Sequence, residues 1–220
     1  MTRQHNADGL MQPDEVRSSY DMVAEAYAQK FFDELSRKPF DRQLLDEFAA
    51  ALPARGTLDV GCGPGHVAGY LSERGLDATG VDLSPAMVKI AQRFNPEIPF
   101  HVADMRNLPA ADSTVGGIAA FYSVIHIPRD EVPAVLLEFR RVLIPSGRLL
   151  VAVHGGSGTV TTQDFMGMPA PFEATLFEKD ELVDLITSAG FEVTTATIRA
   201  PYEFESQTPR LYVAATREPG

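Results

Sequence analysis

The segment Leu58-Asp59-Val60-Gly61-Cys62-Gly63-Pro64-Gly65 restricts what this chain can fold into more than any other. It leaves a short apolar strand at 57–60 and opens a helix at 65–73. Glycines at alternate positions let the backbone turn sharply and let a ligand approach without a Cβ in the way. A second anchor, Gly80-Val81-Asp82-Leu83, ends the next strand with an acid. An acid about 20 residues past such a loop commonly takes the hydroxyls of a ribose. Together the two describe a nucleoside site at the carboxyl edge of a parallel sheet. A dinucleotide site would want a third glycine where His66 stands, so that pyrophosphate could sit on the helix N-terminus. Asp59 would also repel a pyrophosphate and suits a cationic amine or sulfonium instead. A nicotinamide-dependent oxidoreductase is therefore disfavoured.

The rest of the chain supplies the sheet that such a loop needs. Residues 13–38 and 40–52 have helical spacing, and Pro53 and Gly56 then break the chain. The first nine residues are expected to fray. Further strands are expected at 78–81, 99–103, 116–122 and 148–153, with helices at 84–94 and 130–143 between them. Ser84-Pro85 makes a good N-cap and first-turn pair. Buried strands alternating with helices imply a parallel sheet covered on both faces. A helix at 179–189 and strands at 191–198 and 210–216 add a C-terminal hairpin. Between His154 and Phe177 lies an irregular stretch rich in Gly, Thr, Met and Phe, long enough to be functional.

Composition works by exclusion. Thirty acids against nineteen Lys+Arg give a formal charge of −11. Without a basic stripe such a chain is a poor partner for nucleic acid or an anionic membrane. One cysteine, Cys62, precludes an internal disulfide and a cysteine-based metal site, so no metal is expected. The polar first ten residues resemble no signal peptide, and no run suits a membrane span, so a cytoplasmic protein is expected.

With these features in place, the chain resembles a class I S-adenosylmethionine-dependent methyltransferase. The matching residues are Tyr20-Asp21-x-x-Ala24-x-x-Tyr27, Asp59 to Gly65, Asp82 to Met87, Ala103-Asp104-Met105 and Phe121 to Ile127. The resemblance implies an α/β, three-layer Rossmann-like sandwich, with a mostly parallel seven-stranded sheet and a C-terminal antiparallel hairpin. Residues 1–52 would form an N-terminal helical cap or lid, and 53–220 the methyltransferase domain, with a substrate-side insertion around 155–177. The cofactor would be S-adenosyl-L-methionine, with S-adenosylhomocysteine as product.

The resemblance also assigns roles. Gly61, Gly63 and Gly65 would pass beneath the methionyl moiety, with Asp59 near its amino group. Asp82 would bind the ribose hydroxyls, and Leu83 and Met87 would lie against the adenine. Asp104 would accept from the adenine amino group while Met105 covers the other ring face. Tyr122 would border the methyl donor, and Tyr20 and Tyr27 would be lid residues.

The acceptor is narrowed mainly by what is missing. Phe121-Tyr122-Ser123-Val124 stands where methyltransferases of adenine or glutamine carry an Asn/Asp-Pro-Pro-Tyr/Phe motif, and a single thiol does not suit arsenic. A small-molecule acceptor remains, methylated on O or N by in-line transfer, in a monomer or homodimer. His126 is a candidate general base, or a residue that organises its loop. His154, Phe165, Met168 and Phe172 are candidates for a substrate pocket, the aromatics serving equally well as a core plug. His66 reads as a surface or packing residue. A catalytically silent cofactor-binding protein is the alternative.

Overall fold

The computed structural model describes residues 11–52 and 56–219. The expected fraying of residues 1–9 and the break at Pro53 lie outside the described residues. Strands β1 (Thr57–Val60), β2 (Ala78–Asp82), β3 (Phe100–Val102), β4 (Val115–Phe121) and β5 (Leu143–His154) pair in parallel. With β8 (Phe191–Arg199) and β9 (Arg210–Arg217) they form one seven-stranded sheet in the order β3-β2-β1-β4-β5-β9-β8. The last two strands run antiparallel, β9 against both β5 and β8. This is the Rossmann-like methyltransferase architecture that the resemblance implied.

Helices α1 (Pro13–Phe31), α2 (Pro39–Ala50), α3 (His66–Ser72), α4 (Pro85–Phe94), α5 (Val132–Val142) and α6 (Lys179–Ser188) cover the sheet. Successive strand residues face opposite layers. Ile118 and Ala120 of β4 pack into the core shared with α5 and α6, around Val135, Phe139 and Ile186. Ala119 between them faces α2 and α3, with Leu45, Phe48 and Leu71. Phe139 is fully buried, so truncating it to Ala would cost about 3–5 kcal/mol.

Three departures from the sequence expectations have local causes. The first helix stops at Phe31, and Glu34–Arg37 form a separate 3-10 turn. The Arg42 guanidinium, reaching back from α2, donates to the carbonyls of Leu35 and Ser36 and holds that turn. The fifth strand begins at Leu143, because Leu143 pairs with Val115 ahead of an irregularity that re-registers the strands at Gly117 and Arg148. The stretch expected to be irregular contains a two-stranded antiparallel ribbon, β6 (Thr159–Thr162) with β7 (Phe172–Thr175).

The strand order reverses between β1 and β4. Connections from these two strands leave in opposite directions, which opens a crevice at their carboxyl ends. Everything of functional interest gathers there. Among the described residues, no helix is long and apolar enough to cross a membrane, and no cluster of His, Cys, Asp or Glu is arranged to hold a metal.

Candidate active site

The crevice is a cleft of about 940 Å³, counting its solvent-open part. Its floor is the turn after β1. Gly61 and Gly63 have φ of +72° and +51°, and the N–H groups of Gly61 and Cys62 both donate to the Val81 carbonyl. A Cβ on Gly61 would lie 2.2 Å from the Ser123 Cβ, so only glycine lets this turn pass the end of β4. Asp82 ties the floor to the next wall. Its Oδ2 accepts from the Gly63 N–H and its Oδ1 from the Ser84 N–H, each at 2.8 Å. Burial raises the Asp82 carboxyl to about 6 despite these bonds.

Leu83, Asp104 and Met105 line the same cleft. Asp104 accepts from the Arg106 backbone N–H at 2.9 Å, and the Arg106 guanidinium bridges it to Glu131. Tyr20, Tyr27, Tyr122 and His126 also line the cleft. Tyr122 sits at φ +54°, a conformation in which its ring leaves the strand end and stands against His154.

Several expected residues are elsewhere. Asp59 is 1% exposed and does not line the cleft; its Oδ2 accepts from the Ala68 N–H at 2.9 Å. The cause is strand alternation, because Leu58 and Val60 face the α5 layer and Asp59 therefore points towards α3. Burial lifts its carboxyl to about 7. Gly65 turns into α3 at φ +83° with its open side against Phe100 and Ala91, away from the cleft. Met87 is 1% exposed and packs with Ala24, Ala28 and Ile90 between α4 and α1. His154 is also outside the lining, with Nδ1 bonded to the Thr208 hydroxyl at 2.8 Å.

The aromatics Phe165 and Phe172 of the 155–177 stretch also lie outside the cleft lining, and form a roof over Tyr20 and His126. Phe165 and Phe172 stack at 4.5 Å, with Phe165 edge-on to Tyr20 and Phe172 edge-on to His126. Met168 exchanges backbone hydrogen bonds with Phe165 and reaches no part of the cleft lining. Under this roof His126 Nδ1 lies 2.8 Å from the Glu173 carbonyl, and Nε2 lies 2.7 Å from the Tyr20 hydroxyl. A carbonyl only accepts, so Nδ1 carries the proton and Nε2 accepts from Tyr20. Burial lowers His126 to about 4, which keeps it neutral.

The structure adds residues that the sequence did not single out. Asp21 accepts from the Ser84 hydroxyl and the Ala86 N–H, latching α1 onto the first turn of α4. Glu34 and His66 line the cleft, with Oε1 and Nε2 3.3 Å apart, so His66 is part of the site rather than surface or packing. Behind Tyr122, Asp41 is fully buried and takes the Tyr212 hydroxyl and the Arg199 guanidinium, each at 3.0 Å. Only Asp21 stood in a recognisable motif. The other contacts join residues far apart in the chain and have no local signature.

Comparison with known proteins bears on the family and the fold. The sequence model of a family described as "Methyltransferase domain" matches residues 57–147. A demethylmenaquinone methyltransferase of Renibacterium salmoninarum is 32% identical over 166 residues, covering 72% of this chain and 69% of the relative. Methyltransferase GfsG of Streptomyces halstedii is 33% identical over 152 residues; the match covers 64% of this chain and about half, 54%, of that relative. Among solved structures, the magnesium protoporphyrin IX methyltransferase of Synechocystis with bound S-adenosylmethionine superposes with a TM-score of 0.70. It is 18% identical, over 99% of this chain and 100% of that one. A relative nearly one-third identical over most of both chains, joined to a fold shared end to end, makes this chain a member of the class I S-adenosylmethionine-dependent methyltransferases, with S-adenosylmethionine as its methyl donor.

Proposed function

We propose that the protein moves the methyl group to an oxygen or nitrogen of a small molecule, in line with the S–CH₃ bond. The residues present suit the donor. A carboxylate has about four lone-pair sites. Asp82 uses two of them on the Gly63 and Ser84 N–H groups, which leaves two for the ribose hydroxyls. Leu83 and Met105 would flank the adenine and Asp104 would accept from its amino group. Gly61 and Gly63 would lie beneath the methionyl group, and Tyr122 would border the methyl. When bound, the sulfonium supplies an already activated methyl group. Alignment and exclusion of water are then the protein's main tasks.

The observation that carries the small-molecule reading is the closure over the cleft. Tyr20 from α1 and His126 from the turn after β4, both on the cleft wall, are joined by a hydrogen bond, and His126 is held from behind by the Glu173 carbonyl of the ribbon and by Phe165 and Phe172, which lie outside the lining. Helix α1, the described start of the proposed cap, would thereby close on the remainder. Relatives named for demethylmenaquinone and for O-methylation support a small-molecule acceptor. His126 Nε2 would receive the acceptor's O–H or N–H in place of Tyr20. With its imidazolium disfavoured by burial, His126 holds and orients that proton more than it stores it.

The test is label transfer. Methyl-labelled cofactor is incubated with the protein and a panel of hydroxylated and amine-bearing small molecules, with protein and RNA as controls. Label in the small-molecule fraction is expected. Label confined to protein or RNA would overturn the proposal.

A further inference from the structure

The family motif offers Asp59 for the cationic end of the cofactor's methionyl tail, but Asp59 is sealed against α3 and does not reach the cleft. A buried ammonium is most favourably met by a carboxylate. Of the acids on the cleft wall, Asp104 is paired with Arg106, and Asp82 stands at the end of β2 among backbone N–H groups. Glu34 is the third, and it comes from the opposite side, on the turn between α1 and α2. Its side chain is 12% exposed; Oε2 meets Lys38 Nζ at 2.8 Å, and Oε1 is 3.3 Å from His66 Nε2. Tyr27 lies over the glycine turn, 3.8 Å from where a Gly63 Cβ would be, and its phenol feels the charges of both Glu34 and Asp82. The glycine turn, Tyr27, Asp82 and Glu34 thus line one cleft.

We propose that Glu34, braced by Lys38 and His66, takes the α-ammonium of the cofactor's methionyl tail in place of Asp59. The bracing explains how an acid this enclosed keeps its charge: burial opposes ionisation, and His66 and Lys38 outweigh it, holding the carboxyl below its usual range. Lys38 has a second partner in Glu205 at 3.2 Å, so it stays anchored when the tail arrives. The amino-acid end of the cofactor is then recognised by residues outside the glycine motif. This rests on the adenosyl assignment of the cleft given above.

Two ligands separate the tail from the nucleoside: S-adenosylhomocysteine carries the amino acid, and 5′-methylthioadenosine lacks it. Calorimetry of wild type and Glu34→Gln with both is the experiment. Losing a charge-assisted hydrogen bond should weaken S-adenosylhomocysteine by about ten- to a hundredfold. Methylthioadenosine affinity should be unchanged, and this also shows that the variant folds. Equal weakening of both ligands would make Glu34 a structural residue, and no change in either would turn it towards the acceptor; both results overturn the proposal. Failure of the wild type to bind either ligand would instead fail the cleft assignment, and this inference with it.

Discussion

Asp59→Asn isolates the cost of an acid that the glycine motif carries but the cleft does not use. The variant keeps a carbonyl oxygen for the Ala68 N–H, 2.9 Å away in the wild type, and removes the ionisation. Burial raises the wild-type carboxyl from 3.8 to about 7, against the pull of His66 and of the Ala68 N–H. An acid raised in the folded state supports folding fully below its unfolded value, and that support is lost as pH climbs through the folded one. Each pH unit in this window is worth about 1.4 kcal/mol. Between pH 5 and pH 7 the wild type should therefore lose roughly 2 kcal/mol relative to the variant, and about half a kcal/mol more above that. Denaturant unfolding of both proteins at pH 5, 6, 7 and 8 measures the gap directly. Because Asp59 is off the cleft wall, affinity for S-adenosylhomocysteine should move by less than about threefold, far below the effect of losing a charged hydrogen bond. A stability gap independent of pH would refute the burial argument, and a tenfold or larger loss of affinity would return Asp59 to the ligand.

Asp82→Ala should weaken S-adenosylhomocysteine by at least about a hundredfold, since two charged hydrogen bonds to the ribose go with it; unchanged affinity in calorimetry would end the ribose assignment. With Asp82 at about 6 in the free protein, wild-type affinity should also fall as pH drops below that value and the acid protonates, so a flat profile from pH 5 to 8 would count against it. His126→Ala should lower turnover by about ten- to a hundredfold while affinity for the product stays nearly constant; equal losses in the two assays would leave His126 a loop-organising residue. Gly61→Ala would push a Cβ to 2.2 Å from Ser123 at a φ of +72°. A loss of about 3 kcal/mol or more in thermal or chemical denaturation is expected, and a loss below about 1 kcal/mol would show that the turn relaxes cheaply.

How much was legible depended on how local the signal was. Strand β1 at 57–60 was readable to the residue, because Thr57-Leu58-Asp59-Val60 is a short β-branched and apolar run that ends at the glycine turn, where few alternatives fit. The N-cap at Ser84 was equally clear and does accept from the Met87 N–H. The ribbon β6–β7 was missed because Thr159–Thr162 is mostly exposed and finds its partner ten residues on, across a loop without a tight-turn signature. Met87 stood in the matched motif, but its position on α4 faces α1, so its side chain fills the contact between the two helices. Phe165 and Phe172 left pocket and plug open, and the structure makes them a stacked roof over Tyr20 and His126.

By itself the sequence determined what neighbouring residues can settle: the glycine turn, the acid that closes β2, the alternation of strand and helix, and so the existence of a nucleoside cleft at the sheet edge. These follow from backbone sterics and from the periods of 2 and 3.6, which act over a few residues. Tertiary structure alone decided which acids face the cleft. Asp59 and Asp82 each lie at or near a strand end, but one points into the α3 layer and the other into the crevice. Glu34 reached the cleft only because the turn before α2 was brought against His66. A side chain's chemistry is written in its own residue, whereas its burial and partners are properties of the layers packed around it.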